Sequence, residues 1–211
     1  EKSNVLEVGA GCGAITGALT EMAERVVALD LSKRRSTINA RRNKEKSNLE
    51  ILVGNFNHIQ GGIQERFDYV TLIGVFEYAE SYIDGDNPKE IFLEKVNGLL
   101  KEDGKILIAI ENRFGLKYFA GCREDHLSLF GEGISGYGSA KGVRTLNRSE
   151  WIKLLDKCGF KDYKIYYPYP DYKFPTTIYS DSYMPKAGEL TNNIRNFDGE
   201  RIMLFDETKA F

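Results

Sequence analysis

The stretch V-L-E-V-G-A-G-C-G-A-I-T-G, residues 5–17, decides the fold. Val5, Leu6 and Val8 make a short apolar run that carries one acid, Glu7. Three glycines follow, Gly9, Gly11 and Gly13, and then helical spacing of apolar residues at Ile15, Ala18, Leu19 and Met22. This pattern predicts a strand, a tight turn and a helix in succession. Without Cβ atoms the turn lets a ligand press against the backbone, while the start of the helix offers free N–H groups. A ligand with a nucleotide-like part is expected there.

The glycines alone do not choose the nucleotide. Gly9, Gly11 and Ala14 also fit the dinucleotide pattern G-x-G-x-x-A. Glu7 separates the readings, because a pyrophosphate is repelled by a carboxylate two residues before the turn and an ammonium group is attracted. A second apolar run, Val26 to Leu29, ends at Asp30, an acid placed to bond ribose hydroxyls in either reading.

Bulk properties exclude several classes. The 211 residues suffice for one α/β domain with a sizeable core. With 29 basic and 31 acidic residues, no overall field recruits nucleic acid or an acidic membrane. No apolar run approaches the ~20 residues of a membrane span. Three scattered cysteines, Cys12, Cys122 and Cys158, argue for a reducing cytoplasm and against a disulfide framework or thiolate zinc site. The two histidines, His58 and His126, make a histidine-built metal centre unexpected, so no metal is assigned. The numbering opens at Glu1, three residues before the first strand, which raises the expectation of a piece excised from a longer polypeptide.

Strand-like and helix-like stretches alternate through the first two-thirds of the chain, predicting a doubly wound parallel sheet with helices on both faces. Lys33 to Lys46 read as a helix with seven basic residues and one acid, a solvated outer face or a nucleic-acid patch. Strands are expected at Leu49–Val53, Phe67–Ile73 and Lys105–Ile110. Asn87-Pro88-Lys89-Glu90 reads as a capped helix start, with Gly104 as its stop. A further helix starts at a cap on Asn147 and closes at Gly159. Late strands are expected at Asp162–Tyr167 and Arg201–Phe205. Two segments break the alternation: a Gly-rich insertion, 112–144, read as a lid or binding loop, and a Tyr- and Pro-rich segment, 168–199.

Five stations, E-V-G-A-G-C-G, A-L-D-L-S, G-N-F, F-D-Y-V-T-L-I-G-V-F-E-Y and L-L-K-E-D-G-K-I-L-I-A-I-E-N, resemble in order the pattern of class I S-adenosylmethionine-dependent methyltransferases. The resemblance covers about residues 4–112, and R-T-L-N-R-S-E-W-I-K-L-L-D-K-C-G-F extends it to 160. It implies a single Rossmann-like domain over 1–211 with a seven-stranded sheet, the last strand antiparallel. It also implies a donor, S-adenosylmethionine, that leaves as S-adenosylhomocysteine. By position, Glu7, Gly9, Ala10, Gly11 and Gly13 would meet the donor's amino acid moiety, and Asp30 its ribose. Leu31 would flank the adenine, Asn55 would accept from its amino group, and Phe56 would either stack on it or pack in the core; Gly74, at the end of the fourth strand, is a further candidate donor contact.

The run Gly74-Val75-Phe76-Glu77 departs from the N-P-P-Y tetrad of enzymes that methylate bases and is closer to small-molecule methyltransferases. Tyr78 stands where those often carry a histidine. E-N-R-F-G-L-K-Y-F-A-G and Y-P-Y-P-D-Y-K-F-P resemble methyltransferase modules of bacterial surface-polysaccharide pathways, often joined to glycosyltransferases. That implies a sugar or other small-molecule hydroxyl as acceptor. A hydroxyl benefits from a base as it attacks. His126 in the insertion is the first candidate, with a structural role as its alternative; Glu111 and Glu77 are the reserves. Asn112, Arg113, Tyr118, Asp171 and Tyr172 are candidate acceptor contacts. The rival readings are a nicotinamide-dependent oxidoreductase and a module that binds the donor without chemistry.

Overall fold

Apolar and β-branched runs build the centre of the molecule. The computed structural model describes residues 3–119, 121–138, 142–169, 171–186 and 189. Five runs pair into one sheet: β1 (Asn4–Val8), β2 (Arg25–Asp30), β3 (Leu49–Val53), β4 (Phe67–Ile73) and β5 (Leu100–Ala109). Their order is β3-β2-β1-β4-β5, with every pairing parallel. Parallel neighbours need crossovers. Helices lie in all of them: α1 (Thr16–Met22), α2 (Lys33–Arg42), α3 (Phe56–Ile59), α4 (Ala79–Tyr82) and α5 (Pro88–Asn97). Leu6, Val26, Ala28, Val70 and Leu72 are sealed within this α/β core.

The chain moves outward from β1 through β2 to β3 and then returns to β4 on the other side of β1. Where a parallel sheet reverses direction in this way, the strand ends on either side of the reversal open a crevice that takes ligands. Glu7 and Asp30 stand at that edge, as does Gly74 after β4.

Two compact units divide the chain, Glu1–Ile110 and Glu111–Phe211. The first contains the whole five-stranded sheet. The second contains α6 (Leu116–Phe119), α7 (Glu132–Ser135), α8 (Arg148–Lys157) and an antiparallel pair, β6 (Tyr166–Tyr169) with β7 (Thr177–Ser180). α8 begins as its sequence predicts: Asn147 accepts from the Glu150 N–H at 3.0 Å, and the Glu150 carboxylate accepts from the Asn147 N–H at 2.8 Å. It closes before Gly159, whose φ is +83°.

Several local expectations are corrected. Gly104 does not end α5; the helix stops at Asn97, and Gly104 lies inside β5, where an added Cβ would sit 2.8 Å from the Phe67 carbonyl oxygen. The K-E-D-G segment falls at the register shift between the Phe67–Leu100 and Tyr69–Lys105 pairs that join β4 and β5. Asn87 caps α5 by position alone, without a side-chain hydrogen bond, and Pro88 takes the first helical turn as expected. The strand expected at Asp162–Tyr167 is shifted to Tyr166–Tyr169, because its partner is β7 rather than the main sheet. Among the described residues the main sheet has five strands rather than seven. The strand expected at Arg201–Phe205 lies outside the described residues. No helix among the described residues is long and apolar enough to cross a membrane.

Candidate active site

The glycine turn is shaped by two different constraints. Gly9, Gly11 and Gly13 all take left-handed φ, at 77°, 55° and 80°. A Cβ on Gly9 would lie 2.2 Å from Val75 Cγ2, and one on Gly13 would lie 2.3 Å from Asn39 Oδ1. The protein itself fills the space beside those two. A Cβ on Gly11 would meet nothing within 4 Å, so this glycine faces open space at the strand edge. Backbone bonds from Gly9 and Ala10 N–H to the Leu29 carbonyl, at 2.7 and 3.0 Å, tie the turn to β2.

Glu7, on β1 just ahead of the turn, is buried at 5% exposure. Among the described residues it forms no ion pair. The Thr16 hydroxyl donates to Glu7 Oε2. Asn39 Nδ2 donates to Thr16 Oγ1 at 3.0 Å, and Asn43 Nδ2 donates to Asn39 Oδ1 at 2.8 Å. Burial pushes the Glu7 carboxyl up to about 7; the Thr16 hydroxyl opposes that rise and the like charge of Asp30 adds to it. A buried carboxylate bonded to one hydroxyl, with no ion pair among the described residues and a glycine turn just after it, fits a ligand carrying an ammonium group.

Asp30 ends β2, and its carboxylate is buried. Oδ2 accepts from the Gly11 N–H at 2.8 Å and Oδ1 from the Ser32 N–H at 2.7 Å. Each oxygen keeps a lone pair for a further donor such as a ribose hydroxyl. Leu31 is exposed beside it. Asn55 caps α3, its Oδ1 accepting from the Asn57 N–H at 2.9 Å. The Phe56 ring is buried against Phe92 with centroids 5.2 Å apart, so its packing reading is the one the geometry favours. Gly74 donates its N–H to the Ala109 carbonyl at 2.8 Å at a φ of 63°. Glu77 is buried at the start of the segment after β4.

The second unit gathers its own polar cluster around His126. Glu124 Oε1 lies 3.0 Å from His126 Nδ1, while Glu124 Oε2 accepts the backbone N–H groups of His126 and Leu127 at 2.7 and 2.6 Å. The Tyr137 hydroxyl, 2.6 Å from Thr145 Oγ1, also donates to Glu124 Oε1 at 3.1 Å. Burial alone would raise the Glu124 carboxyl; the His126 ring and the backbone donors outweigh it and hold the group below its ordinary value. Tyr137 keeps a left-handed φ of 61°, a strained state that these bonds to its buried hydroxyl over-determine. Burial raises its hydroxyl to about 12, so it serves as a donor rather than a base. His126 Nε2 lies 3.9 Å from Glu111 Oε2.

Glu111 is buried, and its Oε1 accepts from Lys173 Nζ at 2.7 Å. Lys117 Nζ, on α6, reaches Asp171 Oδ2 at 2.8 Å and Asp125 Oδ1 at 3.3 Å. The Tyr118 hydroxyl donates to Asp125, and burial with that neighbouring carboxylate pushes the phenol far above its usual range. Carboxylate oxygens of Glu111, Asp125 and Asp171 lie within 4.8 Å of one another. Lys117 and Lys173 supply the positive charge of that cluster. Burial would raise Asp171, but Lys117 prevails and lowers it. The other acceptor candidates are drawn into local structure: Asn112 Oδ1 accepts from the Phe114 N–H at 2.9 Å, and Arg113 Nε pairs with Glu150 at 2.9 Å. Lys173 lies over the Tyr172 ring, 5.0 Å from its centroid. His58 is exposed on its own side chain, 3.7 Å from Asp84.

Thr16, Asn39, Asn43, Glu124, Lys117 and Lys173 belong to these sites and are not singled out by the sequence reading. Asn39 and Asn43 carried a signal: four residues apart, they share one face of a basic helix with Ser36, and that polar face is the buried one. Glu124, two residues ahead of His126, carried another, as the side chain most able to fix the ring.

A family model described as a methyltransferase domain matches residues 6–106. No curated protein matches the chain. Among solved structures, the chain is similar to phosphoethanolamine N-methyltransferase 1 of Haemonchus contortus, complexed with phosphoethanolamine and S-adenosylhomocysteine. That match has 23% identity and a TM-score of 0.56, covering 79% of this chain and 31% of that one. It is also similar to the plantazolicin methyltransferase BamL, complexed with a triazolic desmethylPZN analog and SAH, at 16% identity and a TM-score of 0.55 over 79% and 58% of the chains. DhpI, complexed with SAM and HEP, matches at 19% identity and a TM-score of 0.53 over 74% and 69%. The chain thus spans about a third of the length of the first of these and about two-thirds or less of the others. Residues 6–106 match the methyltransferase domain family, and the chain shares the fold of S-adenosylmethionine-dependent methyltransferases.

Proposed function

We propose that this chain binds S-adenosylmethionine and transfers its methyl group to a hydroxyl of a sugar or other small molecule, releasing S-adenosylhomocysteine. One observation carries the donor reading: a buried Glu7, with no ion pair among the described residues, just ahead of a turn whose Gly11 faces open space. A dinucleotide pyrophosphate would meet that carboxylate as a like charge. Glu7 is positioned for the donor's ammonium group, Asp30 for its ribose, and the glycine turn lets the backbone come close.

The donor, when bound, supplies an electrophilic methyl group on a sulfonium. The chain's task is to align the acceptor, exclude water and take a proton. His126 is the proposed base. In this reading Glu124 accepts the Nδ1–H of the neutral ring, Nε2 takes the hydroxyl proton, and the Glu124 charge stabilises the imidazolium that results. Glu111 and Glu77 are the reserve bases, and Tyr118, Asp171, Asn112, Arg113 and Tyr172 are the proposed acceptor contacts. The resemblance of E-N-R-F-G-L-K-Y-F-A-G and Y-P-Y-P-D-Y-K-F-P to polysaccharide-pathway modules supports a glycan or glycolipid acceptor in the bacterial cytoplasm, with a glycosyltransferase as fused or associated partner.

The test combines calorimetry and transfer. The protein is titrated with S-adenosylhomocysteine and with NAD, then incubated with methyl-labelled donor and a panel of glycan acceptors, alongside His126→Ala. Binding of the homocysteine compound, none of NAD, label in a glycan, and loss of labelling in the variant support the reading. NAD binding instead makes the chain an oxidoreductase domain. Donor binding with no label transferred to any acceptor makes it a binding module. Unchanged turnover in His126→Ala removes that residue as the base.

A further inference from the structure

We propose that Thr16 and Asn39 are positioning residues for the methyl donor: a hydrogen-bond chain anchored on Asn43 of the α2 side orients Glu7 toward the donor's ammonium group. This extends the donor site to a part of the fold that no glycine motif includes. It rests on the donor reading above.

The direction of the chain follows from its donors and acceptors. Asn39 Nδ2 donates to Thr16 Oγ1, so the single hydroxyl proton of Thr16 is free to go to Glu7 Oε2. Asn43 Nδ2 in turn donates to Asn39 Oδ1. Every proton in the series points toward the Glu7 carboxylate, an arrangement in which successive bonds polarise one another and favour the ionised acid. Thr16, Asn39 and Asn43 are all buried, and Thr16 and Asn39 are almost wholly so. They therefore act in a medium where an unmade hydrogen bond is costly.

Packing shows that the chain also shapes the turn. Asn39 Oδ1 and Asn43 Nδ2 would lie 2.3 and 2.8 Å from a Cβ at Gly13, and Asn43 Oδ1 would lie 3.1 Å from one at Gly17. The same amides that feed Thr16 thus press against the glycine backbone where the donor's amino acid end is received. The surroundings of Glu7 offer little else to set its charge. Asp30 on β2 is the like-charged neighbour, β4 places Thr71 opposite Glu7, and α1 has no acid in its first turn and no base in its last. Burial lifts Glu7 to about 7, and Thr16 is what opposes that rise.

The experiment is calorimetric titration of S-adenosylhomocysteine into the wild type, Thr16→Val, Thr16→Ser and Asn39→Ala between pH 5.5 and 8.0. Circular dichroism and thermal melts establish that each variant is folded. Wild-type affinity is expected to rise with pH by up to about tenfold per unit and to level off near the Glu7 midpoint. Removing one hydrogen bond to a charged group should move that midpoint up by about one pH unit in Thr16→Val, weakening binding at pH 7 by about fivefold. Thr16→Ser, which keeps the hydroxyl, should retain the wild-type profile, and Asn39→Ala should shift in the same direction by less. A Thr16→Val profile identical to wild type, or a loss equal at every pH, overturns the proposal. Absence of binding by the wild type overturns the donor reading itself.

Discussion

Glu124 Oε1 lies 3.0 Å from His126 Nδ1, and the other oxygen of the same carboxylate accepts the two backbone N–H groups that follow it. A carboxylate there favours the Nδ1–H tautomer, and the proposed base role of His126 rests on that pairing. Glu124→Gln keeps the shape and replaces an acceptor by a group that can also donate. Its expected effect is a fall in kcat of about 10²- to 10⁴-fold, with S-adenosylhomocysteine affinity unchanged. Single-turnover transfer assays check it, and a kcat equal to wild type would remove the dyad from the mechanism.

Glu7 makes stability depend on pH in a stated direction. Its ordinary value is 4.5 and its folded value about 7. Between those values the folded protein holds a proton that the unfolded chain has released. Stability is therefore fully present below pH 4.5, falls as pH rises through the window, and has lost about 3 kcal/mol above it. In donor-free protein, Glu7→Gln should match wild type near pH 4 and exceed it by up to about 3 kcal/mol at pH 8. Urea unfolding of both proteins at the two pH values measures the difference, and an equal gap at both would disprove the linkage.

Gly9→Ala combines a left-handed φ of 77° with a Cβ placed 2.2 Å from Val75 Cγ2. The conformation costs about 1–2 kcal/mol and the overlap about 1–3 kcal/mol more. In a Val75→Ala background the overlap is relieved and the penalty should shrink to the backbone part. A double-mutant cycle by chemical denaturation reads that coupling; additive effects would show that Val75 is not what excludes a side chain there.

Lys117→Met would remove the ammonium group that bonds both Asp125 and Asp171 and leave Lys173 as the nearby cation. Breaking a buried pair on one side costs about 3–5 kcal/mol near neutral pH. Asp171 is depressed below 3.8, so its contribution is present above that value and is lost as pH falls through the folded value. The penalty should therefore shrink in acid. A penalty that stayed constant down to pH 3 would point to packing of the lysine stem instead.

Much of the first unit was legible because its signals are local. Val5–Val8, Val26–Asp30 and Phe67–Ile73 carry their strands in their own composition, and the ends of these strands bring Glu7, Asp30 and Gly74 to one sheet edge. Gly104 misleads for an equally local reason: K-E-D-G reads as a helix stop, yet it lies within β5 between the residues that pair with Phe67 and Tyr69. The polar cluster of the second unit was beyond local reading. Lys117 meets Asp171 across 54 residues of chain, and Glu111 meets Lys173 across 62. Asn39 and Asn43 sit on a helix whose charge draws the eye to its outer face, while the residues that touch the glycine turn are on the inner one. His126 was visible as a residue, but its partner gains meaning only from the burial of Glu124.

The three turn glycines divide the labour of selection. Positions 9 and 13 are policed by the fold, since any substituent there strikes Val75 or Asn39 whether or not a ligand is ever bound. At position 11 the fold leaves the space open, so under the proposed function the cargo is what would keep a side chain out. Asparagine tolerates left-handed backbone, so a chain that had abandoned its cofactor would be free to drift to that residue at 11 while keeping its neighbours. The identity of that one residue in a lineage is thus a readable record of whether the crevice is still in use.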